Sequence, residues 1–227
     1  MPLRAIVFDF DGVIANSEPL HFHAFRDVLS AHGLAFDERD YYARYLGFDD
    51  AGVFRAVGTE QRAGWTTERI GELVEDKAVR LEALEHGASI LFPGAADAIR
   101  RAAATVPIAI ASGARGDEIR RALNRENLAS FFTAIVAAED APVSKPAPDP
   151  YLHALALLSR AAGANLRGAE CVAIEDSVWG LASARSAGLK TVGVTHTYEA
   201  SALATADLVI GNIDALDIEQ LVEVCSR

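Results

Sequence analysis

Ala5-Ile6-Val7-Phe8-Asp9-Phe10-Asp11-Gly12 opens on an unbroken apolar run and ends in two carboxylates two positions apart, followed by a glycine. Apolar residues without alternation fit a parallel strand buried on both faces. Open parallel sheets keep their reactive groups just beyond the carboxyl ends of such strands. Residues i and i+2 of an extended chain point the same way, so Asp9 and Asp11 are placed to face one crevice. Gly12 lets the chain turn out of the sheet. The same four residues also suit a plain strand cap and turn, and the choice between the two readings needs the rest of the chain.

Working outward, short apolar runs recur at Ile108-Ala109-Ile110-Ala111, Ala134-Ile135-Val136, Cys171-Val172-Ala173-Ile174, Thr191-Val192-Gly193-Val194 and Leu208-Val209-Ile210. Between them lie helical patterns over Ala95–Ala104, Asp117–Arg125, Pro150–Ala162 and Ser177–Ala187, the last closed by Gly188. Strands alternating with helices predict an α/β fold with a doubly wound parallel sheet. One segment breaks the alternation. From Asn16 to Gly87 the patterns are helical: Pro19 to His32 ending at Gly33, Glu38 to Leu46, and Thr67 to Glu85. The expected organisation is therefore a core of residues 1–15 and 88–227 with an inserted all-helical cap of residues 16–87.

Composition narrows the class. The chain has 227 residues, 51% hydrophobic and 23% charged, and no apolar run approaches the roughly 20 residues of a membrane span. The N-terminus enters a strand at once and does not read as a signal peptide. Cys171 and Cys225 make neither a disulfide framework nor a zinc spacing, so a reducing cytoplasm is the expected compartment. With 21 basic and 32 acidic residues the net charge is −11, which speaks against nucleic acid or an anionic membrane as partner. A small anion is still admitted, because amides, a lysine and a metal ion override net charge locally. The sequence leaves the oligomeric state open.

Three further features follow predicted strands: Ser112-Gly113, Ser144-Lys145-Pro146 and Glu175-Asp176-Ser177. Singly each has a structural explanation: Ser112, Asp176 or Ser177 as a helix N-cap, Lys145 as a solvated lysine. Together with Asp9 and Asp11 they bring four acids, a lysine and a hydroxyl to one sheet edge. Clustered carboxylates repel unless a hard cation sits among them, and oxygen ligands suit Mg²⁺. Asp9, Asp176 and the main-chain carbonyl of Asp11 are the candidate ligands, with Glu175 beside or behind them. A lysine and a hydroxyl opposite suit a phosphoryl group, and a carboxylate can serve as its nucleophile. Asp149-Pro150 reads as an N-cap with proline at the first helical position, anchoring the lysine loop.

This set resembles the haloacid dehalogenase superfamily. Asp9-Phe10-Asp11-Gly12, Ser112, Lys145 and Glu175-Asp176 match its four motifs in order, and the helical insert is similar to the cap of its phosphoglycolate phosphatase and β-phosphoglucomutase subgroup. Similar too are Lys145-Pro146-Ala147-Pro148-Asp149-Pro150-Tyr151, Gly180 and Ala206-Asp207-Leu208-Val209-Ile210. The resemblance implies a Rossmann-like core and a Mg²⁺-dependent phosphatase acting on a small phosphorylated metabolite. By that resemblance Asp9 is the nucleophile and Asp11 the general acid/base, while Ser112, Gly113 and Lys145 bind the phosphoryl group. His21 matches a cap histidine on the substrate side, and Asp9, Asp11, Asp176 and Glu175 surround the metal. A phosphomutase is the alternative, which His21 favours. Against it, Leu46-Gly47-Phe48-Asp49-Asp50 carries acids where mutases have an arginine, and Ser112-Gly113-Ala114-Arg115-Gly116 lacks their asparagine. A signalling receiver is about half this length and has no helical insert, and a non-catalytic binding module does not need the full motif set.

Overall fold

The computed structural model describes residues 2–46, 48–85 and 89–227. The chain divides into two compact units, Met1–Asn16 with Ile90–Arg227, and Ser17–Ser89. The expected return crossing at 87/88 falls on residues 86–88, outside the described residues. No described helix is long and apolar enough to cross a membrane.

The first unit is built on a parallel sheet of β1 (Ala5–Phe8), β2 (Ile108–Ala111), β3 (Phe132–Val136), β4 (Cys171–Glu175), β5 (Lys190–Val194) and β6 (Leu208–Ile210). Among the described residues the order is β3-β2-β1-β4-β5-β6, and every neighbouring pair is parallel. Every residue of β1, β2 and β4 is buried, which is why these strands read as continuous apolar runs rather than alternating ones. Phe8 stands level with Ile110 of β2 on one side and Ile174 of β4 on the other. The chain leaves β1 toward β2 and later returns from β3 to β4 on the opposite side. The crevice beyond the carboxyl ends of β1 and β4 is therefore the topological switch point, where such sheets bind ligands.

Helices complete both units. The second unit has α1 (Glu18–Ala31), α2 (Glu38–Asp40), α3 (Asp50–Glu60) and α4 (Thr67–Leu84), closed around a core of its own that includes Phe22, Phe25, Tyr41, Phe54 and Leu73. The core unit adds α5 (Ala95–Ala103), α6 (Gly116–Arg125), α7 (Asp149–Ala162), α8 (Val178–Ser186) and α9 (Ile218–Ser226). Tyr151, Ala154 and Leu158 of α7 pack with Val7, Ala109, Val136 and Ala173 of the sheet.

Three local expectations are corrected. The helix expected over Glu38–Leu46 is α-helical only through Asp40; Tyr41–Tyr45 is a π turn, with the Leu46 amide donating to the Tyr41 carbonyl. The wider turn lets Tyr41 and Tyr45 both bury while their hydroxyls donate to Glu18 (2.5 Å) and Glu60 (2.9 Å). The acids at Asp49 and Asp50 are helix-building: Asp49 caps α3 by accepting from the Gly52 amide at 2.7 Å. Helix α7 starts one residue early, with Pro148 rather than Asp149 at the cap, since Pro150 fits anywhere in a first turn whose amides have no helical partner.

Candidate active site

Each chemistry-bearing residue stands at the end of a strand or in the loop that follows one. Asp9 follows β1, Ser112 follows β2, Lys145 lies between β3 and α7, Glu175 ends β4 and Asp176 follows it. The Asp9 amide still donates to the Ile174 carbonyl at 2.9 Å, so the last rung of the ladder fixes where its side chain begins. Its Oδ1 accepts the Phe10 N–H at 2.7 Å, which leaves Oδ2 for the lysine.

Lys145 is the centre of the cluster. Its Nζ lies 2.8 Å from Asp9 Oδ2 and 2.7 Å from Glu175 Oε1, with its side chain only 11% exposed. Burial pulls the ammonium down, but Asp9 and Glu175 outweigh it and hold the lysine above its ordinary range. Glu175 is fully buried, and burial together with the Asp9 charge pushes it up against the pull of Lys145. Tyr151 donates to the same Glu175 oxygen at 2.6 Å, and Ser177 Oγ reaches the other at 3.3 Å. Burial first, and then Glu175, raises the Tyr151 phenol well above its usual range, so it stays a donor.

Asp9, Glu175 and Asp176, all buried, each offer a carboxylate oxygen within 4.8 Å of the others. An oxygen-only set of this kind fits a hard divalent cation. Asp11 is partly buried in the turn after β1, and its carboxylate is not one of the three. Two glycines are dictated by these acids. A Cβ on Gly12, whose φ is +74°, would overlap the Asp176 carboxylate, and one on Gly180 would overlap that of Glu175. Ser112 is buried at the end of β2, where its Oγ accepts the Ala114 N–H at 3.1 Å, while Gly113 beside it is exposed to open space.

His21 belongs to the helical unit. Its Nδ1 is 2.8 Å from Lys77 Nζ, and burial, then the Lys77 charge, hold the imidazole well below the usual histidine range. Lys77 is itself wholly buried and lies 2.9 Å from Asp50 Oδ2. Asp50 is therefore neutralised within its own unit, and the contrast drawn from Asp49 and Asp50 against a bound anion loses its force. Lys77 escaped the sequence reading because a lysine in an otherwise amphipathic helix looks like part of a solvated face. Tyr151 was visible as part of a motif, but its contact with Glu175 depends on how α7 lies on the sheet.

Comparison with known proteins gives a consistent result. The family described as haloacid dehalogenase-like hydrolase matches residues 3–188. Protein CbbY of Rhodobacter capsulatus is 34% identical over 212 residues, covering 87% of this chain and 88% of that protein. Fructose-1-phosphate phosphatase YqaB of Escherichia coli is 29% identical over 189 residues, 83% of this chain and 95% of the relative. Among solved structures, CbbY from Rhodobacter sphaeroides in complex with xylulose-(1,5)bisphosphate superposes with a TM-score of 0.83 at 26% identity, covering 94% of this chain and 96% of that one.

Proposed function

Since the chain belongs to the haloacid dehalogenase-like hydrolase family, we propose that it is a Mg²⁺-dependent phosphatase of a small sugar phosphate that works through an aspartyl-phosphate. The observation that carries this reading is Lys145, held between Asp9 and Glu175 at the switch point of the sheet. A lysine beside a carboxylate nucleophile is placed to take up charge on the equatorial oxygens of a phosphoryl group in transfer. The names of the relatives, a fructose-1-phosphate phosphatase and a bisphosphate-bound CbbY, support the sugar-phosphate class.

In this mechanism an Asp9 oxygen attacks phosphorus and the bond to the sugar oxygen breaks. Asp11 gives its proton to the leaving alkoxide, which a phosphate ester needs and a halide does not. Asp11 then takes a proton from the water that attacks the phosphoaspartate, so inorganic phosphate leaves and both aspartates return to their starting state. Ser112, the exposed Gly113 amide and Lys145 bind the phosphoryl oxygens. Asp9 and Asp176 through their carboxylates and Asp11 through its main-chain carbonyl would hold Mg²⁺, with Glu175 serving through Lys145 and Tyr151. When bound, the ion supplies a positive charge that offsets the negative charge of the phosphoryl group.

The test is release of inorganic phosphate from a panel of pentose and hexose monophosphates with Mg²⁺, followed by phosphorus NMR on glucose 1-phosphate with and without a sugar bisphosphate. Turnover that chelation abolishes and Mg²⁺ restores is the expected outcome. Undiminished turnover after thorough chelation sinks the metal site. Bisphosphate-dependent formation of glucose 6-phosphate faster than free phosphate would replace the phosphatase with a mutase.

A further inference from the structure

We infer that His196 is a positioning residue that fixes the turn carrying Asp9 and Asp11; its effect on turnover rests on the function proposed above, whereas its effect on the turn does not. His196 lies partly buried in the loop after β5, far in sequence from that turn. Its Nδ1 is 2.9 Å from the Gly12 carbonyl oxygen, and the Ile213 amide nitrogen is 3.3 Å from its Nε2. A carbonyl only accepts and a backbone N–H only donates, so the two partners settle the tautomer between them. Nδ1 carries the proton and donates to Gly12; Nε2 is bare and accepts from Ile213. Turning the ring over would bring Cδ2–H and Cε1–H to the places of Nδ1 and Nε2, and both bonds would be lost.

The ring's plane is fixed as well. It stacks on Phe92 with centroids 3.8 Å apart and planes 22° from parallel. The Phe92 amide donates to the Ile14 carbonyl at 2.9 Å, so the stacking partner is tied to the far end of the same turn. Asp9 donates to Ile174 of β4, and within the turn Ile14 and Ala15 donate to Phe10 and Gly12 donates to Ala15. These hold its shape. The His196 bond adds a tie to the β5 and β6 loops, at the residue directly after Asp11. Gly12 sits at a φ of +74° with no room for a side chain against Asp176, so the peptide it belongs to has no side chain of its own to hold it there. Misplacing a reacting group by about 1 Å costs on the order of 10²-fold in rate, so a tie at this point acts on turnover.

Two variants of the full chain separate the hydrogen bond from the ring. Asn puts an amide donor close to where Nδ1 stands in histidine; His196→Asn keeps a donor for Gly12 and loses the stack. His196→Leu keeps apolar bulk on Phe92 and loses the donor. For each, amide hydrogen exchange of Gly12, Ile14 and Ala15 is measured by NMR, and kcat and KM are measured on the best sugar phosphate with Mg²⁺. His196→Leu is expected to speed exchange at these amides and to lower kcat, both by about tenfold or more, with KM within about threefold. His196→Asn is expected to stay within about threefold of the parent in both readouts. The proposal is overturned if the Leu variant matches the parent in exchange, or if the Asn variant is as impaired as the Leu one. If the Leu variant does not fold, the Asn variant decides alone: values near the parent support the tie, and a tenfold loss in either readout overturns it. Should the parent hydrolyse no monoester while the exchange pattern is as expected, the proposed function falls and the positioning role stands.

Discussion

Asp9 answers to two donors at once, the Phe10 amide on Oδ1 and the Lys145 ammonium on Oδ2. An asparagine of nearly the same volume satisfies only one of them, because its amide nitrogen must face the other. Asp9→Asn should therefore fold, at a cost of about 1–3 kcal/mol for the unsatisfied donor, while turnover falls by at least about 10³-fold if this carboxylate is the nucleophile. Circular dichroism beside steady-state assays checks both, and a folded variant keeping a tenth of the parent rate would rule out the covalent route. A second residue reports on stability alone. Glu170, at the entry to β4, accepts from the Arg167 guanidinium at 2.7 Å and from the Arg167 amide at 3.1 Å, and these bonds bring its carboxyl down to about 2 from an ordinary 4.5. A depressed folded value means the stabilisation is complete above pH 4.5 and is lost as pH falls toward 2. Urea unfolding should show Glu170→Gln weaker than the parent at pH 6, with the gap narrowing as pH falls below 4.5 toward 2; a gap independent of pH would contradict this assignment. At this scale the acids and the lysine were legible from their places after strands. Their partners were not, since Tyr151, His196 and Lys77 act through contacts that no spacing reveals.

Elements were legible where burial is two-sided. Strands β1, β2 and β4 are recognisable as apolar runs because no face of them meets water, and the loops after them follow at once. The helical unit was harder. Its α3 was hidden behind Asp49 and Asp50, which read as acids where mutases carry an arginine and are here a helix cap and the ion-pair partner of the buried Lys77. The π turn at Tyr41–Tyr45 follows from tertiary burial of two tyrosines, which local propensity does not encode. Helix α8 shows the same dependence in reverse. Gly180 interrupts a good helix former's pattern, and on propensity alone Gly180→Ala should gain about 1 kcal/mol. Its Cβ, however, would occupy the space of the Glu175 carboxylate. The variant is expected to unfold more easily than the parent despite its better helix former, and to lose about tenfold or more in turnover as Glu175 moves off Lys145. A gain in stability with unchanged turnover would show that Glu175 has room to step aside.

Each of the two units closes its own apolar core, and the sheet's switch point, with the acids and Lys145, lies within the first. What the whole molecule adds is its field. The net charge is −11, and the proposed substrate is itself an anion. Long-range repulsion between the two lowers the local concentration of substrate, while attraction is confined to Lys145 and the cation that the acidic cluster fits. Salt shortens the reach of these forces, from roughly 30 Å at 0.01 M to about 8 Å at 0.15 M. The diffuse repulsion of scattered surface acids is screened first, and the short, buried contact between Lys145 and its carboxylates is screened least. Raising ionic strength with potassium chloride at saturating Mg²⁺ should therefore increase kcat/KM for a sugar monophosphate by about two- to threefold over that range, with kcat nearly unchanged. The change should be larger for a bisphosphate than for a monophosphate, since its charge is greater. A steep fall in kcat/KM with salt would mean instead that an exposed cationic rim guides the substrate in, and would move attention from the buried lysine to surface arginines such as Arg55 and Arg62.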